Sequence, residues 1–516
     1  MARVEGIYPG SGLASAEILG LPIYRVEEKE GMQKSPWENS IVYQAYPSVI
    51  TTTPQGEKKP FLQSLRTWLS HIKSLNTDAI WISPIYPSSG ADSGYDITNY
   101  CAIDPKFGTM DDFDQLVAQA ESLNMSIFMD LVFHHVSSEH PWYQQARSSS
   151  DNPYRNWFIF RRDNLPNLQG KWTKEQPVFR KEHSGEYVLG SFSEKQIDLN
   201  LRNRDVQEAH LQTLDFWRFH GVKGWRIDVA DSLDKDDSLY DPSLPLSDSV
   251  KLKSGPRLFS REGFLASLSR YAGDKEGLIL EVGEDMPPPE YLKEFQEVGA
   301  NMIPFDFIHK LPWSAREYKN YIDNLCNRVD RGRIAIALSS HDISRVNSRL
   351  TTPQADAAWV MLSMLGTVFV IYNGDELGML DQPKPQTGFV DPLDRYKSRG
   401  EIQSNLLNTS TSKQKLSKLG QLLQLKKSLN AVVNGRYERV ETANERIFGY
   451  GLSDNQQSIL VLTNFSSSEQ TVKIPGLISG RVKFSTHKRD EFLLAPDELK
   501  FNPNEALVIE LITSSL

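Results

Sequence analysis

The sequence predicts an α/β fold: a (β/α)8 barrel, a small domain inserted after its third strand, and an antiparallel β-sandwich at the C-terminus. Three observations carry this expectation. From residue 40, short apolar runs alternate eight times with amphipathic stretches, the pattern of buried parallel strands joined by crossover helices. The spacing fails once, between the third and fourth runs. There an aromatic-, asparagine- and proline-rich segment intervenes that is too long for a structureless loop. From near residue 435 the helical period disappears and short alternating runs with turns between them take over.

Residues 1–35 have no strong period and are read as an N-terminal extension. The eight strand candidates are 41–46, 79–82, 126–130, 224–228, 278–281, 301–305, 334–338 and 368–372. Helix-like segments at 61–75, 110–123, 206–219 and 354–365 lie between them. The barrel is thus expected over 36–135 and 196–430, the inserted domain over 136–195 and the sandwich over 431–516. Strands of the last are expected at 447–451, 458–464, 469–474 and 506–512.

Composition bounds the function classes. The 516 residues carry 39% hydrophobic and 24% charged side chains, an ordinary globular mixture that excludes wholesale disorder. A net charge of −9 argues against nucleic-acid or anionic-membrane partners. No apolar run is long enough for a membrane span, and no secretory signal pattern opens the chain. Two cysteines, Cys101 and Cys326, exclude a disulfide framework and a cysteine zinc cluster, which suits a reducing, cytoplasmic location. No phosphate-cradling glycine loop follows a strand, so a nucleotide cofactor is not expected.

Barrel enzymes draw their chemistry from the C-terminal strand ends. Those ends here carry Tyr95 and Asp96, Asp130, His134 and His135, Arg226 and Asp228, Glu284, and then His341, Asp342 and Arg345. Two carboxyls facing one substrate can do glycosidic chemistry, one attacking the anomeric carbon and the other protonating the leaving oxygen. An arginine beside the nucleophile would keep it ionised and oriented. The Asp130, His134, His135 group lacks the helical spacing of a zinc site, and no metal is expected there.

The ordered motifs IVYQAYP (41–47), DAIWISPIYPSS (78–89), SGYDITNY (93–100), IDPKFGTMDDFDQLV (103–117), DLVFHHVSSEHPW (130–142), QIDLNLRN (196–203), GWRIDVAD (224–231), EVGED (281–285), SSHDISR (339–345) and YNGDELGM (372–379) resemble glycoside hydrolase family 13, the α-amylase family. Within it they resemble the α-glucosidase and oligo-1,6-glucosidase group, from about residue 36 to the end. The resemblance implies Asp228 as nucleophile, Glu284 as general acid/base and Asp342 as the carboxylate that grips the glucose hydroxyls. It implies Arg226, His135 and His341 around the same subsite, with Tyr95 and Asp96 as its floor. Gln196 stands in a segment similar to the QPDLN hallmark of the oligo-1,6-glucosidase side. Phe192 has two readings, a pocket aromatic or a packing residue of the inserted domain.

Departures from the family pattern are also legible. His134 stands where relatives usually have Asn, Ser340 likewise, and Ile197 replaces the QPDLN proline. The strand-one loop TTTPQGEKKP (51–60) keeps one carboxylate, Glu57, so the calcium site of some relatives, and any cofactor, is not expected. In SRGEIQSN (398–405), Arg399 is the candidate for a sugar-binding arginine. The expected activity is a retaining, exo-acting α-glucosidase on small α-glucosides. The alternatives are a transglucosidase or a sucrose-acting enzyme; a non-catalytic, transporter-associated relative is disfavoured by the three retained carboxylates. Val229, next to the nucleophile, is expected to border the leaving sugar and to lean the linkage slightly towards α-1,6.

Overall fold

The computed structural model describes residues 35–162, 178–235, 239, 263–282, 287–306, 308–383, 394–474, 479–487, 489, 492–494 and 498–512. Residues 1–34, and with them nearly all of the expected N-terminal extension, lie outside the described residues, as does Glu284.

Eight parallel strands close into a barrel: β1 Ile41–Ala45, β2 Ala79–Ile82, β3 Ser126–Leu131, β4 Gly224–Ile227, β5 Gly277–Leu280, β6 Met302–Asp306, β7 Ala335–Ala337 and β8 Val368–Tyr372. Each pairs with its sequence neighbours, and β8 returns to β1. All eight meet their sequence expectation within a residue or two, because each is a short apolar run buried on both faces.

One set of strand residues fills the barrel interior: Val42, Ala79, Trp81, Phe128, Ile279, Ile303, Phe305, Ala335, Ala337, Val368 and Val370. Phe128 is the largest plug on β3. A Cβ at Gly224, opposite it on β4, would lie 2.3 Å from its ring, so only glycine fits there. Trp37 closes the N-terminal end, edge-on to Phe128 at 4.6 Å, with its indole N–H on the Lys275 carbonyl at 2.9 Å.

The helix Phe61–Ser74 buries Leu62, Leu65, Leu69 and Ile72, a 3–4–3 spacing that presents one stripe to the barrel. The helix Met110–Ser122 begins where Thr109 and Asp112 bond each other's backbone N–H groups, at 3.1 and 2.9 Å.

The long β3–β4 connection leaves the barrel through an antiparallel pair, His135–Ser137 against Gln196–Asp198. Beyond this stem stands a three-stranded sheet of Phe160–Arg161, Tyr187–Leu189 and Phe179–Lys181. At the C-terminus a six-stranded antiparallel sheet turns one face to the barrel and the other to a two-stranded ribbon, Gln470–Val472 with Leu499–Phe501. The alternation is plain in its strand Ser458–Asn464: Ile459 and Val461 join the core shared with the barrel, while Leu460 and Leu462 pack with Val472, Leu499 and Phe501. Among the described residues no helix is long and apolar enough to cross a membrane.

Candidate active site

The site is built around one guanidinium. Arg226 and Asp228 are two residues apart on β4 and its end, so both point to the barrel axis. Arg226 is buried and donates to Asp130 at 2.8 Å, to Asp228 at 2.7 Å and to Glu281. Asp130 is its register partner on β3. Glu281 follows β5 directly; its N–H bonds the Ile227 carbonyl at 3.1 Å, which sets it level with Asp228. The Glu281 carboxyl in turn donates to the Asp228 carboxylate.

Three carboxyls thus share one cation, away from water. Burial pushes Asp228 up to about 6 and Glu281 up to about 7, with the Arg226 charge pulling both down. Burial likewise raises Asp130 to about 6 against the same pull. The side chains of Asp228 and Glu281 retain 9% and 19% of their exposure, so a substrate can reach them.

A second cluster faces the first. His341 lies between two tyrosine rings, Tyr46 and Tyr95, stacked at 5.2 and 5.4 Å. The Gln44 amide N–H donates to its Nδ1 at 2.8 Å, which leaves Nε2–H to donate to Asp342 at 3.0 Å and lie 2.8 Å from the Tyr95 hydroxyl. That hydroxyl donates to Asp130 at 3.2 Å and ties the two clusters together. Arg399 donates to Asp342 at 2.8 Å and to the His341 carbonyl at 2.9 Å. Burial alone would raise Asp342, but His341, Arg399 and Arg395 hold it well below the usual carboxylate range. It is a permanent anion, unlike the pair around Arg226.

The stem of the inserted domain supplies the remaining wall. Gln196 donates to Asp92 at 3.0 Å and to the Tyr95 carbonyl at 3.2 Å, and sits 3.0 Å from His135 Nε2. Phe192 packs on the rings of His134 and His135 at 4.9 and 5.1 Å. Asp92 is paired with Arg395, which lies 3.7 Å from Asp342.

Of the residues singled out in the sequence, Tyr95, His135, Phe192, Gln196, Arg226, Asp228, His341, Asp342 and Arg399 are brought together here. Val229 follows Asp228, buried, in the left-handed region at φ 41°. Two are placed elsewhere. Asp96 turns into its own loop, accepting from the Ser89 hydroxyl and from the Ala91 and Asp92 N–H groups at 3.1 and 3.0 Å. Arg345 is fully buried behind the site, on the Asn373 and Ser398 carbonyls and on Asp375. It braces the segment that carries Arg399.

Sequence reading missed four residues. Asp92 and Arg395 each stand four positions before the residue chosen, in loops with no period to orient them. Gln44 was quoted in its motif but given no role, although it follows the inward-facing Val42 by two. Glu281 is the most consequential. It is the first residue beyond β5, as Asp228 is the first beyond β4, and that equivalence was the available signal.

The alpha-amylase catalytic-domain family matches residues 54–421. An oligo-1,6-glucosidase of Heyndrickxia coagulans is 33% identical, over 67% of this chain and 67% of its own length. An oligo-1,6-glucosidase of Bacillus cereus is 27% identical, over 93% of this chain and all of its own. The crystal structure of Bacillus licheniformis trehalose-6-phosphate hydrolase superposes with a TM-score of 0.79 at 23% identity, covering 93% of this chain and all of that one. The family match spans well over half of the chain and takes in β2 to β8 with the site they carry: this chain belongs to the alpha-amylase family and is a glycoside hydrolase.

Proposed function

We propose that the chain is a retaining, exo-acting α-glucosidase of small α-glucosides, with Asp228 as nucleophile and, of the described residues, Glu281 as the carboxyl placed for the general acid/base role; Glu284, which motif resemblance implies for that role, lies outside the described residues. One observation carries the reading: Arg226 holds both carboxyls, and Glu281 donates to Asp228. Two carboxyls on one guanidinium can act together on one anomeric carbon, as a double displacement needs. Asp228, hydrogen-bonded and the lower of the two, is the ionised member that attacks the anomeric carbon. Glu281, the higher, gives its proton to the leaving oxygen and later takes one from water. Asp342, the permanent anion, accepts from glucose hydroxyls as charge develops on the ring. The Asp92–Arg395 pair, with Gln196 and Tyr95, supports a closed pocket for a single terminal glucose. The test is stereochemical: proton NMR of the first product from a p-nitrophenyl α-glucoside is expected to show the α-anomer before mutarotation. A β-anomer sinks the proposal.

The pair predicts its own pH profile. Activity is expected to peak narrowly between about 6 and about 7, where Asp228 is ionised and Glu281 still protonated; the limbs belong to the pair rather than to either residue. The sign for stability follows. With native values raised, the folded chain holds more protons at Asp130, Asp228 and Glu281 than the unfolded chain does. Their contribution is therefore full below the ordinary carboxylate range and is lost as pH rises through about 6 to about 7. Asp342, with its depressed value, contributes above that range and loses its contribution in acid. A kcat/KM profile that is flat from pH 5 to 8 would rule out the pairing.

Linkage preference is proposed to lean to α-1,6, with Val229 as the residue that narrows the space beside the scissile bond. The names of the curated relatives support this. Val229 is buried at φ 41°, a conformation that costs a β-branched residue about 1–3 kcal/mol. It is held there by Ala230 N–H on the Glu281 carbonyl at 2.8 Å. Val229→Thr keeps the β-branch, and so the backbone strain, and changes only a methyl for a hydroxyl. It is expected to move the isomaltose-to-maltose ratio of kcat/KM by about tenfold, the lower end for such a pocket change. An unmoved ratio removes Val229 from the argument.

A further inference from the structure

The turn over residues 190–196 joins the inserted sheet to its stem and carries two residues of the pocket wall. Phe192 packs on the rings of His134 and His135, and the Gln196 amide bonds Asp92 and the Tyr95 carbonyl. Four backbone carbonyls of the same turn converge on one guanidinium that none of the chemistry above uses. Arg180 Nη1 donates to the carbonyls of Glu194 at 2.7 Å and Gln196 at 3.1 Å. Its Nη2 donates to the carbonyl of Gly190 at 2.9 Å and to that of Ser193. Each of the four terminal N–H groups thus has a carbonyl of its own.

We propose that Arg180 is a positioning residue of the glucose pocket: its guanidinium holds the 190–196 turn closed and so sets Phe192 and Gln196 against the terminal sugar. The role rests on the glucosidase reading above. Four carbonyl dipoles aimed at one point repel one another, and each needs a donor once it is taken from water. A cation with a planar fork of donors satisfies all four together, whereas a lysine ammonium offers three donors from a single point. Asp198, Glu194 and Glu182 attract the charge and keep it in place.

Glycine at 190 belongs to the same device. A Cβ there would lie 2.6 Å from Arg180 Nη2, 2.7 Å from its Cζ and 2.7 Å from the Gln196 carbonyl oxygen. The backbone at Gly190 is not left-handed, so glycine is required by the room that the guanidinium and this carbonyl take.

The ends of the turn are held without Arg180. The Gly190 N–H bonds the Val178 carbonyl at 2.7 Å, Ser191 bonds Asp198 through its N–H and its hydroxyl, and the Lys195 carbonyl accepts from the Ser138 N–H at 2.7 Å. Loss of the fork therefore loosens residues 192–194 and leaves the fold standing. Asp228, Glu281 and Asp342 are held by Arg226, His341 and Arg399, not by this turn. Binding should suffer and chemistry should not.

The test uses the full chain and two substitutions that reach the clamp from opposite sides. Arg180→Lys keeps the charge and removes the fork. Gly190→Ala keeps the arginine and evicts it. In each, hydrogen exchange read by mass spectrometry is expected to quicken about tenfold in peptides covering 190–196, with the barrel strands unchanged. KM for isomaltose is expected to rise about tenfold, as the fraction of chains with a formed pocket falls to about a tenth, while kcat holds. In the double substitution the two losses should fall well short of adding, since both remove one contact. Should one variant fail to fold, the other decides. Fully additive losses, or unchanged exchange in the turn, overturn the proposal. Faster exchange with an unmoved KM overturns the link to the pocket. A lower melting temperature with turn exchange and KM both unmoved is what a merely structural arginine gives, and overturns it too. If the wild type cleaves no glucoside, the functional reading fails, and the exchange arm alone decides the clamp.

Discussion

Glu281→Gln is expected to lower kcat on isomaltose by about 10²- to 10⁴-fold, the range for loss of a general acid/base. Glu284→Gln, at the position motif resemblance implies, is the comparison that tests the choice. The reasoning is geometric: Glu281 shares Arg226 with Asp228 and donates to it. The leaving group provides a second readout. A p-nitrophenolate departs without a proton, so the loss on the aryl glucoside should be much smaller than on isomaltose for the first, glycosylation step. The alkaline limb of the pH profile should vanish with Glu281→Gln, since its carboxyl, raised to about 7, is the group that titrates there. Should Glu284→Gln carry the larger loss and abolish that limb, the acid/base role returns to the residue that motif resemblance implies.

Asp228→Asn is expected to abolish turnover, by about 10⁴-fold or more, as removal of a group at the centre of a catalytic unit does. An amide cannot form the glycosyl ester, and good leaving groups give no relief. This distinguishes it from Glu281→Gln. The fold should not suffer. At pH 7.5 Asp130, Asp228 and Glu281 crowd around one guanidinium, and their raised values mean that ionising them costs native stability. Replacing Asp228 by a neutral isostere removes one buried charge and keeps a carbonyl acceptor for Arg226. The melting temperature should therefore equal or exceed that of the wild type, a trade of activity for stability common at such sites. A clear loss of melting temperature, or near-normal turnover, contradicts the assignment.

How far the amino-acid order alone determined this protein depends on the kind of element. The strands were legible because a buried parallel strand is a short apolar run, and its period of two fixes which residues face inward. That is why Arg226 and Asp228, two apart around the end of β4, were paired correctly on the barrel axis, and why β1 to β8 fell within a residue or two of expectation. Four of the antiparallel C-terminal strands were legible for a similar reason, as in Ser458–Asn464, which alternates between two apolar layers, whereas Ser479–Ser485 and Leu499–Phe501 were not read. Direction is lost where the period ends. Asp92 and Asp96, or Arg395 and Arg399, are indistinguishable in loops, whose side chains are aimed by contacts far along the chain: Arg395 by Asp92, 303 positions away, and Arg399 by the His341 carbonyl and Asp342, 58 and 57 positions away. The same limit hid Glu281, which stands beside Asp228 among the described residues, while Glu284 lies outside them. Motif resemblance implied Glu284 alone, and only the barrel register brought Glu281 forward. The Glu281 N–H on the Ile227 carbonyl, a bond between chain segments more than fifty residues apart, sets that carboxyl level with the nucleophile.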